Sequence, residues 1–330
     1  MKYLHLHGLE VSQLCLGTWH LPPSTKQYTD GIHRVDRQET ERIVKKAVDL
    51  GISFFDTANT YHGTISETHL HPEHSGNAER ILGSCLSGYE RESIVIATKV
   101  RAEVAKFPNG GGLSRKHISW QIRESLKRLK TKYVDLYQIH WEDELTPPEE
   151  TMGILNDIVH NGFVHYIGVS NHSAEMMTRM QEISLSRGYE QFITMQEPYN
   201  IAERKVEYDK IAVARKYRMD MLAYVPLAQG ILSGKYLEGV PTGSRASYID
   251  GLRSDARRLE GLAARVASTA KDLQITPSQL SLAWILRMQK ELGIAIVPII
   301  GATSVRHLEE NCEAVNVNLP DDVFRDLLET

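Results

Sequence analysis

Four residues stand out because their types and positions could support one reaction: Asp56, Tyr61, Lys99 and His140. Hydride arriving at a carbonyl carbon leaves negative charge on oxygen, which something must neutralise in the transition state. A phenol can do so by giving up its proton. The reference pKa of tyrosine is about 10, so a nearby cation is expected to make it a stronger acid. Lys99 could supply that field, and Asp56 could hold the ammonium in place while compensating its burial. His140 could donate to the same oxygen and fix its orientation. Alone, Asp56 and Lys99 read as a strand-end ion pair; with Tyr61 and His140 also at strand ends, the set reads as catalytic.

These groups need elements to carry them. Tyr3 to Leu6 and Val11 to Leu16 alternate around His7-Gly8-Leu9, predicting a β-hairpin that runs on into a first strand. Short apolar runs then recur at Ile52 to Phe55, Ile94 to Thr98, Val134 to Ile139, Tyr166 to Val169, Phe192 to Met195, Met221 to Ala223 and Ala295 to Val297. Each suits a strand buried on both faces. Helical periodicity fills the intervals: Glu39 to Leu50, Ala78 to Leu86, Arg115 to Leu129, Glu149 to Asn161, Ala174 to Ser186 and Val206 to Tyr217. Leu259 to Leu273 and Ser278 to Met288 follow before the last strand. Ser114, the Thr146-Pro147-Pro148 run and Thr276-Pro277 are start signals. Gly63 to Asn77 and Gln229 to Ser254 read as long loops.

Such alternation implies parallel pairing and right-handed crossovers, in either a doubly wound sheet or a closed barrel. The strand ends separate the two. Asp56, Lys99, His140, Ser170, Asn171, Gln196 and Tyr224 each follow an apolar run, so many strands deliver a polar or aromatic group to one face, as a barrel does. A dinucleotide fold would concentrate its signal in a glycine-rich turn, and no G-x-G-x-x-G follows the first strand. The expectation is one α/β domain over 1–330, a (β/α)8 TIM barrel whose N-terminal β-hairpin closes the bottom.

Composition narrows the partners. The chain is 42% hydrophobic and 24% charged with a net charge of -4, an ordinary globular balance. Charges of both signs are interspersed, without a basic tract to follow a phosphate backbone, so a nucleic-acid partner is not expected. Cys15, Cys85 and Cys312 lie far apart, as buried thiols in a reducing compartment would. With no apolar leader at its start and no run of about 18 apolar residues, the protein is expected to be cytoplasmic and not membrane-embedded.

The segments FFDTANTYH, IATKV and LYQIHW resemble the aspartate, tyrosine, lysine and histidine motifs of the aldo-keto reductase superfamily, a group of (β/α)8 NAD(P)H oxidoreductases. The resemblance runs from the N-terminal hairpin to Asn311 and implies that Asp56, Tyr61, Lys99 and His140 form the family's catalytic tetrad. GLSRKHI at 112–118, SGKY at 233–236 and SRAS at 244–247 further resemble the branch containing potassium-channel β subunits. Implied with it is a cofactor site. Thr18, Trp19 and Asp56 would be among its residues, with Ser170, Asn171 and Gln196 on the nicotinamide carboxamide and Tyr224 against its ring. Val225, Pro226, Leu227, Ala228, Gln229 and Gly230, with Lys235 and Arg245, match the loop over the pyrophosphate. PIIGATSVRHLEEN places Gly301, Thr303, His307, Glu310 and Asn311 at the adenosine end, with Thr303 capping a helix from Val305.

Three departures qualify the match. Val225 replaces a serine common in the family, and His307 and Gly301 stand where relatives often carry other residues. NADPH is the preferred cofactor because Lys235, Arg245 and Arg306 supply positive charge, with NADH the alternative. An insertion after Tyr61 separates it from the motif Gly76-Asn77-Ala78-Glu79-Arg80-Ile81-Leu82-Gly83 and carries His62, His69, His71 and His74. It reads as a solvated loop on the pocket rim, with no metal expected. Trp19, Tyr61, His140 and Trp141 would line the pocket for a small carbonyl substrate, against a competing core-packing role for the tryptophans. Ser170 and Asn171 could instead cap the helix from Ala174. The function implied is NADPH-dependent reduction of aldehydes or ketones, the alternative being a cofactor-sensing subunit that regulates a membrane partner.

Overall fold

The computed structural model describes residues 1–65, 70–242, 244–247 and 249–329; His69 lies outside the described residues. The chain opens with the hairpin β1 (Tyr3–Leu6) and β2 (Leu9–Ser12), followed by the first barrel strand β3 (Cys15–Gly17). A second hairpin, β4 (Pro23–Gln27) and β5 (His33–Val35), then leads into helix α1 (Arg37–Asp49). From there strand and helix alternate: β6 (Phe54–Asp56), α2 (Asn77–Leu86), β7 (Val95–Val100), α3 (Arg115–Leu129), β8 (Val134–Ile139), α4 (Pro148–His160), β9 (Val164–Ser170) and α5 (Ala174–Arg187). The second half runs β10 (Phe192–Pro198), α6 (Lys210–Tyr217), β11 (Asp220–Tyr224), α7 (Asp250–Arg258), α8 (Glu260–Asp272), α9 (Pro277–Leu292), β12 (Ile296–Ile300), α10 (Val305–Cys312) and α11 (Asp321–Leu328).

The strands β3, β6, β7, β8, β9, β10, β11 and β12 pair in that order, all parallel, and β12 closes on β3. This is the (β/α)8 barrel. Its two cores follow from the two-residue period of a strand. One residue of each alternate pair, such as Phe55, Ile96, Tyr137, Val169 and Ala223, packs outward against the helices. The other, such as Phe54, Val95, Ala97, Leu136, Leu222 and Val297, fills the barrel interior together with Leu6 and Val11 of the first hairpin. Those hairpin side chains plug the N-terminal end of the barrel, as expected.

Parity then dictates what happens at the other end. Counting on from the interior residues Phe54, Ala97, Leu136 and Leu222, the next inward positions are Asp56, Lys99, Gln138 and Tyr224. Ser170 and Gln196 face each other across β9 and β10. A bulge between Phe192 and Thr194 shifts the register of β10 by one residue, which turns Gln196 inward.

Several local expectations are corrected. The predicted helix over 206–217 is broken into a 3-10 turn at Lys205–Glu207 and α6. Segment 229–254 contains α7 and is not wholly loop. The β4–β5 hairpin and α11 carried no clear pattern. Ser114 and Thr276 cap α3 and α9 as their sequences suggest, Thr276 through a full capping box with Gln279. Thr146 does not cap α4; its hydroxyl donates to Asp143 Oδ2 at 2.7 Å. Among the described residues no helix is long and apolar enough to cross a membrane.

Candidate active site

Lys99 is fully buried, and its ammonium uses all three of its hydrogens. They go to Asp56 Oδ2 at 2.5 Å, the carbonyl of Thr57 at 2.9 Å and the hydroxyl oxygen of Tyr61 at 3.3 Å. A buried charge persists only when paired and hydrogen-bonded. Burial pushes the Lys99 pKa down, but the attraction of Asp56 and Tyr61 outweighs it and leaves it above the ordinary lysine value. For Tyr61 the balance differs from the sequence expectation. Burial pushes the phenol up; the field of Lys99 opposes this and Asp56 adds to it, so the net direction is upward. Lys99 therefore moderates the acidity lost to desolvation without reversing it.

Tyr61 sits on the loop after β6, its N–H bonded to the carbonyl of Ala58 at 3.1 Å. The His140 ring meets it edge-on with centroids 5.7 Å apart. The other partner of that imidazole is Trp141, stacked at 3.7 Å and 14°. Burial, reinforced by the charges of Lys99 and Arg101, holds His140 well below the ordinary histidine pKa. The ring is neutral at physiological pH, so one nitrogen can donate.

Asp56 has a second set of partners that the sequence reading missed. Its Oδ1 accepts from Gln196 Nε2 at 2.9 Å and from Gln138 Nε2 at 3.4 Å. Gln138 carried a signal, being the polar residue within the apolar run LYQIH. The backbone carbonyl of Asp56 accepts from the Thr18 hydroxyl at 3.1 Å. Both carboxylate oxygens are thus fixed, and the carboxylate in turn fixes the ammonium.

Beside this cluster opens a cavity of about 910 Å³. Asp56, Tyr61 and His140 line it, while Lys99 lies behind Tyr61. The positions anticipated for a cofactor converge here: Trp19, Ser170, Asn171, Gln196, Tyr224, Val225, Pro226, Leu227, Gln229, Gly230, Lys235, Arg245, Gly301, Thr303, His307, Glu310 and Asn311. Trp141 is on the same wall. Thr18 and Ala228 are not on that wall: Thr18 is buried on Asp56, and Ala228 packs into the core beneath its loop.

The local geometry explains the placement. Ser173, not Ser170 or Asn171, caps α5. Asn171 instead adopts φ 56° and donates to the carbonyl of His140 at 3.0 Å, while its Oδ1 accepts from the Tyr224 hydroxyl at 2.7 Å. Tyr224 is thereby held upright at the cavity wall. The next residue, Val225, is β-branched yet stands at φ 49°, and Ala228 and Gln229 are also left-handed, at 46° and 57°. Such backbone is costly and tends to gather at binding sites. Gly230 follows at φ 94°, and a side chain there would strike Lys235 within 2.6 Å. Successive left-handed residues can turn their N–H groups toward one concavity, which suits an anion.

Positive charge gathers at the same place. His20, which the sequence reading passed over, lines the cavity with its pKa lowered to about 4 by burial and by the fields of Arg245 and Lys235. Arg245 also lies 4.5 Å over the Trp19 ring. At the far end the cap of α10 is Ser304, whose side chain accepts from the N–H of His307; Thr303 instead lies 3.3 Å from His307 Nδ1. The residues fit a dinucleotide: an aromatic wall at one end, a cationic loop in the middle, and a helix N-terminus with polar side chains at the other.

A closed barrel with lysine, carboxylate, phenol and imidazole meeting at its C-terminal mouth defines a class of oxidoreductases. The chain belongs to the Aldo/keto reductase family, whose model matches residues 13–329. Its relatives include the uncharacterized oxidoreductase YrpG of Bacillus subtilis, 33% identical over 98% of this chain and 93% of the relative. The L-glyceraldehyde 3-phosphate reductase of Escherichia coli is 31% identical over 96% of this chain and 87% of its own. A putative voltage-gated potassium channel subunit beta of Schizosaccharomyces pombe is 32% identical over 95% and 87%. The protein is accordingly an oxidoreductase of a family that acts on small carbonyl compounds with nicotinamide cofactors.

Proposed function

We propose that the protein reduces aldehydes or ketones to alcohols with NADPH, Tyr61 protonating the substrate oxygen. The observation that carries this is the hydrogen-bond direction at Tyr61. Lys99 donates to the phenol oxygen, so the phenol's own hydrogen is left to point at the cavity. NADPH, when bound, supplies the hydride to the carbonyl carbon. Tyr61 gives its proton to the carbonyl oxygen, and the developing phenolate is stabilised by the ammonium already in place. His140, neutral and edge-on to Tyr61, donates to the same oxygen and orients it. Asp56, tied by Gln196 and Gln138, keeps Lys99 from drifting toward the oxygen it must only polarise.

Tyr224 would wall the nicotinamide ring, and Ser170, Asn171 and Gln196 would meet its carboxamide. The left-handed run at 228–230 with Lys235 and Arg245 would hold the pyrophosphate. Cationic side chains favour NADPH over NADH, and a fluorescence titration with each would decide between them. Such an intact proton-transfer cluster favours turnover over a purely cofactor-sensing role, although some relatives bear channel-subunit names.

Tyr61→Phe tests the assignment. It keeps the ring but removes the proton, and should lower kcat for carbonyl reduction by about 10²–10⁴-fold while NADPH affinity is retained. Unchanged turnover would exclude Tyr61 as the acid.

A further inference from the structure

The described residues 71–74 of the histidine-rich segment after Tyr61 meet the tip of the β4–β5 hairpin, more than forty residues earlier in the chain, through side chains that are good metal ligands. His74 Nε2 lies 2.8 Å from Asp30 Oδ2, and His71 Nδ1 lies 3.9 Å from the same oxygen and 3.4 Å from Glu73 Oε1. One ligand atom from each of Asp30, His71, Glu73 and His74 falls within 4.8 Å of the other three. Two imidazoles and two carboxylates drawn from two separate segments thus converge on one point.

From this convergence we infer that the protein binds a divalent transition-metal cation of the zinc type at the rim of its cavity, with His71, His74 and Asp30 as ligands and Glu73 as the fourth. Donor chemistry selects the cation. Two nitrogens and two carboxylate oxygens suit zinc in four-coordination, with bonds of about 2.0–2.2 Å; calcium and magnesium prefer oxygen alone. Tetrahedral donors at those lengths lie about 3.3–3.6 Å apart, so side-chain rotations would open the His74–Asp30 pair from 2.8 Å and draw the widest pairs in from at most 4.8 Å.

The surroundings orient the ligands. Asp30 Oδ1 accepts from the N–H of Ile32 at 3.0 Å, which turns Oδ2 toward the histidines. His71 precedes and His74 ends the short 3-10 turn Pro72–His74, with ring centroids 6.1 Å apart. Tyr28 packs on the His74 ring at 4.4 Å. His62 is close by but is not in the ligand set, because its two nitrogens engage Thr64 at 2.8 Å and Tyr28 at 3.3 Å. A cation here would join the hairpin to the segment between Tyr61 and α2. Pro22, Pro23 and Asp36, at the base of that hairpin, line the cavity, so the metal would stiffen one wall of the substrate mouth and take no part in proton transfer.

Calorimetric titration of chelator-treated protein with ZnCl2, paired with thermal melting, tests the site. The expected result is saturable one-to-one binding that raises Tm, weakened by more than about tenfold in His74→Ala and unchanged in the remote surface variant His160→Ala. Cobalt in place of zinc should give the strong visible absorption of four-coordination in the wild type and lose it in His74→Ala. If His74→Ala folds poorly, Asp30→Asn at the exposed hairpin tip carries the same expectation. Absence of saturable binding in the wild type, or equal zinc affinity in wild type and variant, would overturn the site. So would a loss of Tm in the variant that zinc does not influence, since a hydrogen-bonded loop staple predicts that result.

Discussion

Two buried ion pairs sit on opposite faces of one strand. Lys99 on β7 points into the barrel mouth and meets Asp56. Its neighbour Thr98 points outward and donates to Glu79 Oε1 at 2.6 Å, and the other oxygen of Glu79 holds Arg128 of α3 at 2.6 Å. Both carboxylates are almost fully buried, and each of their oxygens accepts a hydrogen bond. The inner pair borders the cavity through Tyr61, whereas the outer pair is sealed between α2, α3 and the sheet. Gly83 tightens that seal, because a side chain there would lie 2.6 Å from the α3 backbone. Similar buried ion pairs therefore border the cavity on one face and pack the interior on the other; the two-residue period of the strand decides which.

Breaking each pair should separate the roles, and the inner one gives the largest effect. Lys99→Met removes the charge that stabilises the phenolate in the proposed mechanism and should lower kcat by about 10²–10⁴-fold; a steady-state assay at saturating cofactor reads it. Asp56 then loses its partner, so a fall in Tm is expected as well. Glu79→Ala leaves the Arg128 charge largely buried, and a loss of about 3–5 kcal/mol in denaturant unfolding is expected. The kcat of the remaining folded enzyme should hold, and a loss of kcat comparable to Lys99→Met would erase the distinction between the faces. Gln138→Leu removes the long hydrogen bond to Asp56 and the one Gln138 accepts from Gln196 at 3.3 Å, each for about 0.5–1.5 kcal/mol, and should show as a modest fall in kcat with KM unchanged.

The smallest effect is an absence of titration. On the proposed mechanism reduction needs Tyr61 protonated, and its raised pKa keeps the proton on as pH rises toward the ordinary value of about 10. His140 is lowered, so it stays neutral down through the ordinary value of about 6.5. The profile of kcat/KM for reduction should be flat between those two values. A limb near neutral pH that disappears in His140→Asn would mean that His140 titrates in the free enzyme, against its lowered pKa.

The strand-borne part of the site was the legible part. Asp56, Lys99, His140, Ser170 and Gln196 follow apolar runs immediately, and burial on both faces makes such runs conspicuous. Gln138 shows what that reading overlooks: a polar residue inside a run looks like an interruption until parity reveals that it faces Asp56. Loop-borne groups were harder. His20 follows no pattern of its own, and its importance lies in Arg245 and Lys235, more than two hundred residues further along. Thr303 looked like a helix cap, but the backbone gave that role to Ser304. Asp30 could not be linked to His71 and His74 by spacing, since they belong to different elements.

Sequence alone determined the order of strands and helices, the barrel closure they favour, and the polar groups that end the strands, because periodicity and local capping are properties of short segments. The direction of the Tyr61 shift, the partners of Asp56 and the meeting of the hairpin tip with the histidines were decided only by the tertiary structure. Each depends on how much water is excluded, or on which distant atoms share a few ångströms, and both are consequences of closing the barrel.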